Sequence, residues 1–376
     1  MKISTFLSCL NKKAPFRLAE KWDNVGLIAG DASREIKNVV ATLDLTDKTI
    51  DFALKNNANL IIAHHPLIFT PISSVTASNS TGLLLMRLIE EKINLIVAHT
   101  NFDKSPYNSS YQIARLYELS NISTLQVTNT DYLYKIAVFV PKKSCAKLKK
   151  ALSEAGAGVL GNYSQCAYMI DGTGEFMGNE NSNPAVGAPM KLERVEETRL
   201  EMIFPEHMQS DVVQTMRANH PYEEPAYDVY QLKNAFRHYG YGVCGDLKKP
   251  LDAKNFIKKT SELFATNLAG GQLCAIGQAP DKIKKIAVVN GSGFDAYKAA
   301  ISNKCDAFIT GDVSYHRALE LASSGLYTID CTHFATEVNF AECLKTLILE
   351  IQNDEKAVFG FFDAKTVLKN PMEKIN

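Results

Sequence analysis

Apolar positions in the first third of the chain fall in short unbroken runs separated by longer amphipathic stretches. Asn38 to Thr46 reads NVVATLDLT, Asn59 to Phe69 reads NLIIAHHPLIF, and Asn94 to Asp103 reads NLIVAHTNFD. Such runs, bounded by turn formers, predict strands buried on both faces. Between them, DKTIDFALKNNA and GLLLMRLIEEKI carry apolar residues at helical spacing. The alternation predicts a parallel sheet flanked by helices.

From Asp131 the texture changes. YLYKIAVFVP reads as a strand, KSCAKLKKALSEAGAG as a helix, and SQCAYMIDGTGEFM and ETRLEMIFP as two further strands. HMQSDVVQTMRANHP is then helical and AYDVYQL extended. That βαββαβ order is the split-βαβ, ferredoxin-like signature. Beyond Asn234 the α/β texture resumes with KIKKIAVVNGSG, DAFITGDVSYHRALELASSG and LYTIDCTHFATEVNFAECLKTLILEI. The expected fold class is α/β: a core in two parts, residues 1–130 and 234–376, interrupted by a ferredoxin-like α+β insert at 131–233.

Length and charge narrow the function classes. With 376 residues the chain suits two domains better than one. Lys plus Arg and Asp plus Glu both number 41, so no net basic charge points to nucleic acid or an anionic membrane. The eight cysteines are scattered with no C-x-x-C pair, which reads as reduced thiols in a cytosolic protein. The apolar patch in MKISTFLSCLNKKAPF is broken by Lys12 and Lys13 and is too short for a signal-peptide core. A cytoplasmic location is expected, with no membrane span.

The histidines carry the chemistry. His64 and His65 follow LIIA, His99 follows LIVA, His333 follows LYTIDCT, and His316 lies shortly beyond AFITG. In open parallel sheets, ligands gather at the carboxyl ends of strands. A lone histidine there is usually a packing residue, but repetition on one edge favours a site. Within a strand His64 and His65 would face opposite ways. Pro66 cannot donate to a ladder and restricts its predecessor, so the strand ends at Ala63 and both imidazoles can turn to one place.

Carboxylates complete the set. Asp103 follows His99 in HTNFD, and Glu337 stands four residues after His333 in HFATE, one helical turn away. His64, His65, Asp103, His333 and Glu337 together form a nitrogen–oxygen ligand set suited to zinc, iron or manganese. They exceed the three protein ligands usual at one catalytic zinc, and a bridging carboxylate would allow two ions about 3.5–4 Å apart. His99 and His316 are candidates for proton transfer, and Asp312 for supporting a ligand. The Gly291-Ser292-Gly293 turn could present N–H groups to an anion, or be a plain tight turn. Trp22 reads as structural, with Asp23 and Asn24 as turn residues, and Cys331 as a buried thiol.

In order along the chain, AEKWDNVGL, AHHPLIF, AHTNFD, GSG, GDVSYH and THFATE resemble the GTP cyclohydrolase I type 2 family, the NIF-three-like dinuclear metal-centre proteins. HPYEEPAYDVY is similar to the PII/CutA-like domain inserted in longer bacterial members. The resemblance implies metal ligands at His64, His65, Asp103, His333 and Glu337. It also implies two divalent metal ions per chain and a toroidal homohexamer. For activity it implies metal-dependent opening of the imidazole ring of GTP with release of formate. Two departures stand out: Thr332 and Asn290 occupy positions where members tend to carry Gly.

Other readings keep the same ligands. A two-metal hydrolase could act on a phosphoester, and a metal-binding regulatory or adaptor protein could sense a ligand through its insert without turnover. The expected partners are further copies of the chain and a small molecule, conceivably a nucleotide.

Overall fold

The apolar runs of the first third become the middle of a five-stranded sheet in the computed structural model, which describes residues 1–265 and 272–371. Along the chain come β1 (Gly26–Ala29), β2 (Asn38–Thr42), β3 (Leu60–Ala63) and β4 (Asn94–Val97). There follow β5 (Ser120–Pro141), β6 (Tyr168–Met177), β7 (Leu192–Pro205) and β8 (Tyr227–Leu251). Then come β9 (Cys274–Ile276), β10 (Ile283–Val288), β11 (Ala307–Thr310), β12 (Tyr327–Asp330) and β13 (Gly360–Asp363). The chain divides into two compact units: Met1–Asn129 with Tyr239–Asn376, and Thr130–His238.

In the first unit, one sheet has the order β1-β4-β3-β2-β13. Neighbours from β13 to β4 pair in parallel, whereas β1 lies antiparallel on β4. The sheet is therefore mixed, because β1 enters outside the strand–helix–strand alternation. Both faces are covered. Val39, Ala41, Leu60, Ile62 and Ile96 pack with Ile3, Phe6 and Leu10 of the helix Ile3–Lys13 and with Leu344, Leu347 and Ile351 of the helix Phe340–Glu355. Val40, Ile61, Ala63, Leu95 and Val97 pack the other way, against Ile50, Ala53 and Leu88. Burial on both faces explains why these strands lack polar alternation.

The same unit holds the part of β8 from Tyr239 onward, followed across the sheet by β10, β11, β12 and β9. β10, β11 and β12 run parallel, with β8 and β9 antiparallel at the flanks. The carboxyl ends of β3 and β4 from the first sheet and of β10, β11 and β12 from the second all lead into the loops of the site described below.

The second unit follows the βαββαβ order: β5, the helix Cys145–Glu154, β6, β7, the helix Gln209–Asn219 and β8. Its strands are ordered β6-β7-β5-β8, with β7 antiparallel to both β5 and β6. Ile136, Val138 and Val140 alternate with Leu200, Met202 and Phe204 over Leu148, Leu152, Val212 and Met216 of the two helices. One face of the sheet thus makes the core, as expected for an antiparallel sheet covered on one side. Among the described residues no helix is long and apolar enough to cross a membrane.

Candidate metal centre

The doublet His64-His65 begins where β3 stops. The N–H groups of both residues donate to consecutive carbonyls of the neighbouring segment, Thr42 and Leu43, each at 3.0 Å. A regular parallel ladder would use alternate N–H groups toward one neighbour. The alternation lapses here, and the two imidazoles lie with ring centroids 5.2 Å apart. His99 caps the short helix Thr100–Asp103, which delivers Asp103, and His333 and Glu337 share the short helix His333–Glu337.

Each histidine is held by its outer nitrogen. Nδ1 of His64 donates to the Ala98 carbonyl at 2.9 Å; since that oxygen only accepts, Nδ1 carries a proton, and in the neutral ring Nε2 is the atom with the lone pair. Nδ1 of His65 faces Asp44 Oδ1 at 2.8 Å, that of His99 faces Asp23 Oδ1 at 2.9 Å, and that of His333 faces Asp312 Oδ2 at 2.6 Å. Asp23 also accepts from the Thr100 N–H and hydroxyl. Burial opposes ionisation of Asp23, but His99 and Thr100 hold its carboxyl down at about 2. Carboxylate–histidine pairs of this kind fix the tautomer and aim the other nitrogen.

The inner nitrogens converge on Glu337, which is 3% exposed. Oε2 of Glu337 lies 2.8 Å from His333 Nε2 and 3.1 Å from His65 Nε2. Nε2 of His64 is buried and makes no hydrogen bond among the described residues, standing 3.6 Å from Asp103 Oδ1 and 3.7 Å from Glu337 Oε1. The residues thus form two triads sharing Glu337: His64, Asp103 and Glu337, and His65, His333 and Glu337. His99 joins His64 and His65 in a further group.

These donors fit a metal ion. Two ligands each about 2.1 Å from a tetrahedral ion stand about 3.4 Å apart, close to the 3.6 Å between His64 Nε2 and Asp103 Oδ1 and the 3.4 Å between His65 Nε2 and His333 Nε2. The orphaned Nε2 of His64 supports the same conclusion, because a buried nitrogen without a partner is costly.

The field in the cluster also attracts cations. Burial works against protonating His65 and His333, yet Asp44 and Glu337 hold the first up at about 9, and Asp312 and Glu337 hold the second up at about 11. Burial likewise works against ionising Glu337, but the surrounding imidazoles keep its carboxyl well below the usual range. Burial dominates at Asp103 and raises its carboxyl.

Asn290, after β10, reaches between the two buried carboxylates. Its Nδ2 donates to Asp103 Oδ1 at 2.8 Å and to Glu337 Oε1 at 3.0 Å, while its Oδ1 accepts from the Ser110 hydroxyl at 2.7 Å. Gly291 has φ +62°, and a Cβ there would come within 2.2 Å of Glu337 Oε1. Only glycine fits.

Two N–H groups of the turn are bonded inside the protein. The Gly291 N–H donates to Thr336 Oγ1 at 2.9 Å and the Gly293 N–H to Thr310 Oγ1 at 3.0 Å. These two N–H groups are thus engaged within the protein. Ser292 and Gly293 still line the cleft above the cluster.

His316 is not brought into the cluster either. It is exposed on the helix Tyr315–Ser324, with its ring against Tyr315. Trp22, expected to be structural, is exposed and lines the cleft, and Cys331 is fully buried outside the triads. Reading the sequence also missed Asp23 and Asp44, because neither stands at a fixed spacing from the histidine it holds.

The cleft has a volume of about 670 Å³ and is lined by Trp22, Phe69, Glu20, Tyr241, His65 and His333, among others. Two α/β sheets whose carboxyl edges meet over a buried histidine–carboxylate cluster define a protein built around a candidate metal centre. The chain belongs to the Duf34/NIF3 (NGG1p interacting factor 3) family, whose model matches residues 1–366. It is 34% identical over 375 residues to a GTP cyclohydrolase 1 type 2 homolog of Staphylococcus aureus (strain MSSA476), covering 100% of both chains. It is 34% identical over 364 residues to the homolog so named in Halalkalibacterium halodurans, covering 95% of this chain and 97% of the relative. Among solved structures, the Bacillus cereus protein related to NIF3 superposes with a TM-score of 0.90 at 30% identity, over 100% of this chain and 99% of the other. Staphylococcus aureus protein SA1388 gives 0.74 at 31% identity, over 100% of this chain and 99% of the other.

Proposed function

We propose that the protein is a dinuclear-metal hydrolase that opens the imidazole ring of GTP and releases formate. The observation that carries this reading is the pair of ligand triads sharing Glu337, with the unpartnered Nε2 of His64 in one of them. In this reading His64, Asp103 and Glu337 hold one divalent ion, zinc, iron or manganese, and His65, His333 and Glu337 hold the second. Bound there, the ions would supply Lewis acidity and a water acidified toward neutrality.

The chain's own groups do the rest. Ring opening adds water at C8 of the guanine, breaks a C8–N bond, and needs a proton at the departing nitrogen; a second hydrolysis frees formate. In this reading His99 carries that proton, a role supported by the Asp23 contact at its Nδ1 and by its ring lying beside His64 and His65. The relatives, GTP cyclohydrolase 1 type 2 homologs by name, support a nucleotide substrate. The proposal includes a core of residues 1–130 and 234–376, an accessory insert at 131–233, a homohexameric ring, and a cytoplasmic setting.

Elemental analysis of protein purified without added metal tests the centre. Two ions per chain are expected, with losses in both His65→Ala and Glu337→Ala; a content unchanged by either substitution refutes it. Formate released from GTP in a metal-dependent way supports the reaction. Inorganic phosphate without formate moves the assignment to a phosphoesterase, and the absence of metal-dependent turnover on any nucleotide or phosphoester removes the hydrolase.

A further inference from the structure

The cleft leading to the ligand cluster carries two large aromatic rings that do not serve the core. Trp22 is 55% exposed and Phe69 57% exposed. Their ring centroids lie 5.4 Å apart at 38°, and Trp22 meets the ring of His99 edge-on at 6.1 Å. Half-bare rings beside a candidate reaction centre offer a platform for a flat partner.

Glu20 lines the same cleft and is fixed from behind. Its Oε1 accepts from Lys104 Nζ at 2.7 Å and from the Tyr241 hydroxyl at 3.0 Å, and Lys104 Nζ also sits over the Tyr241 ring at 5.0 Å. Both bonds fall on one oxygen; Oε2 has no protein donor among the described residues. The Lys104 pairing keeps the carboxyl below its ordinary range, so the open oxygen belongs to a carboxylate, which can only accept.

Resting on the nucleotide reading of the centre, we propose that Trp22, Phe69 and Glu20 form a base-recognition subsite in which the aromatic pair stacks a purine and Glu20 accepts from its N–H edge. That edge selects guanine. Guanine presents a ring N–H and an adjacent exocyclic amine, and hypoxanthine keeps the ring N–H alone. Adenine instead turns a ring-nitrogen lone pair there, which would face the carboxylate as acceptor against acceptor. A site built to accept hydrogen bonds from this edge disfavours a base that cannot donate there.

Trp22 is the only tryptophan, so its fluorescence reports the subsite without turnover. Guanosine, inosine, adenosine and 1-methylguanosine are titrated against the full chain, once after chelation and once after loading with zinc. Saturable quenching by guanosine is expected, about tenfold tighter than by adenosine, with inosine between them. The compound 1-methylguanosine lacks the ring N–H and should bind about as weakly as adenosine. It tests Glu20 without touching the protein, which matters because Glu20→Gln also removes the partner of buried Lys104. Phe69→Ala, at an exposed position, should weaken guanosine about tenfold.

No quenching by any nucleoside overturns the subsite, as does equal quenching by guanosine and 1-methylguanosine. Guanosine-selective quenching without formate release leaves the subsite standing and removes the hydrolase. Formate release with Trp22 unmoved by guanosine does the reverse.

Discussion

Nδ1 of His333 lies 2.6 Å from Oδ2 of Asp312, and that one contact fixes which nitrogen of the ring faces Glu337. The same relationship recurs between His65 and Asp44 and between His99 and Asp23. Three carboxylates outside the two triads thus aim three imidazoles inward, while the Ala98 carbonyl does so for His64. The cluster is preorganised by these outer partners as much as by the fold.

Replacing an outer carboxylate should therefore weaken metal binding without removing a ligand. Asp312→Asn keeps a polar side chain of the same shape but loses the charge that supports the His333 ring. Metal affinity should fall by about 10–100-fold, read by competition against a chromophoric chelator, with an unchanged far-ultraviolet spectrum. An affinity equal to that of the parent would mean that the pair does not orient the ligand.

Metal loading should release protons. In the metal-free chain His65 is held at about 9 and His333 at about 11, both above the ordinary value of about 6.5. Raised imidazoles stabilise the metal-free fold fully below about pH 6.5, and that contribution is lost as pH rises through about 9 for His65 and on toward 11 for His333. Since ligand histidines must be neutral, loading at pH 7.5 should release about two protons. Calorimetry in buffers of different ionisation enthalpy checks this; heats independent of the buffer would contradict it.

Much of the centre was legible because strand ends are legible. LIIA and LIVA are buried on both faces, so their runs end where the histidines begin, and HFATE announces its helical turn. The outer partners were hidden by distance along the chain. Asp23 and His99 stand 76 residues apart, and Asp44 and His65 stand 21 apart, with no local pattern linking them. His316 was grouped with the others because it follows a strand, but the intervening turn and the helix it sits on carry its ring outward. The N–H groups of Gly291 and Gly293 could be assigned only once Thr336 and Thr310 were in place beside them.

Thr332 has φ 68° and ψ 153°, a region that is almost exclusive to glycine and costs about 1–3 kcal/mol for other residues. Its hydroxyl accepts from the Ala335 N–H at 3.3 Å and so caps the helix that carries His333 and Glu337. Thr332→Gly relieves the backbone and, with glycine tolerated at a cap, should stabilise the chain by about 1 kcal/mol. Thr332→Ala keeps the strain and loses the cap, so it should destabilise by about 1 kcal/mol. Urea denaturation of the two variants side by side gives the sign; alanine equal to glycine would remove the strain argument.

Asn290 gives a test of how the buried carboxylates are balanced. Its amide donates to both Asp103 and Glu337 and is itself held by Ser110, so in the metal-free chain it partly plays the part of a cation. Asn290→Ala withdraws two charge-assisted bonds from buried groups, which should cost the metal-free fold about 2–3 kcal/mol. The metal-loaded fold should lose less, because an ion satisfies the same oxygens. Ligand that binds only the folded state stabilises it in proportion to its affinity, so the rise in melting temperature on adding zinc should be larger in Asn290→Ala than in the parent. Equal rises would show that the amide and the metal do not compete, and that Asn290 supports the carboxylates in both states alike.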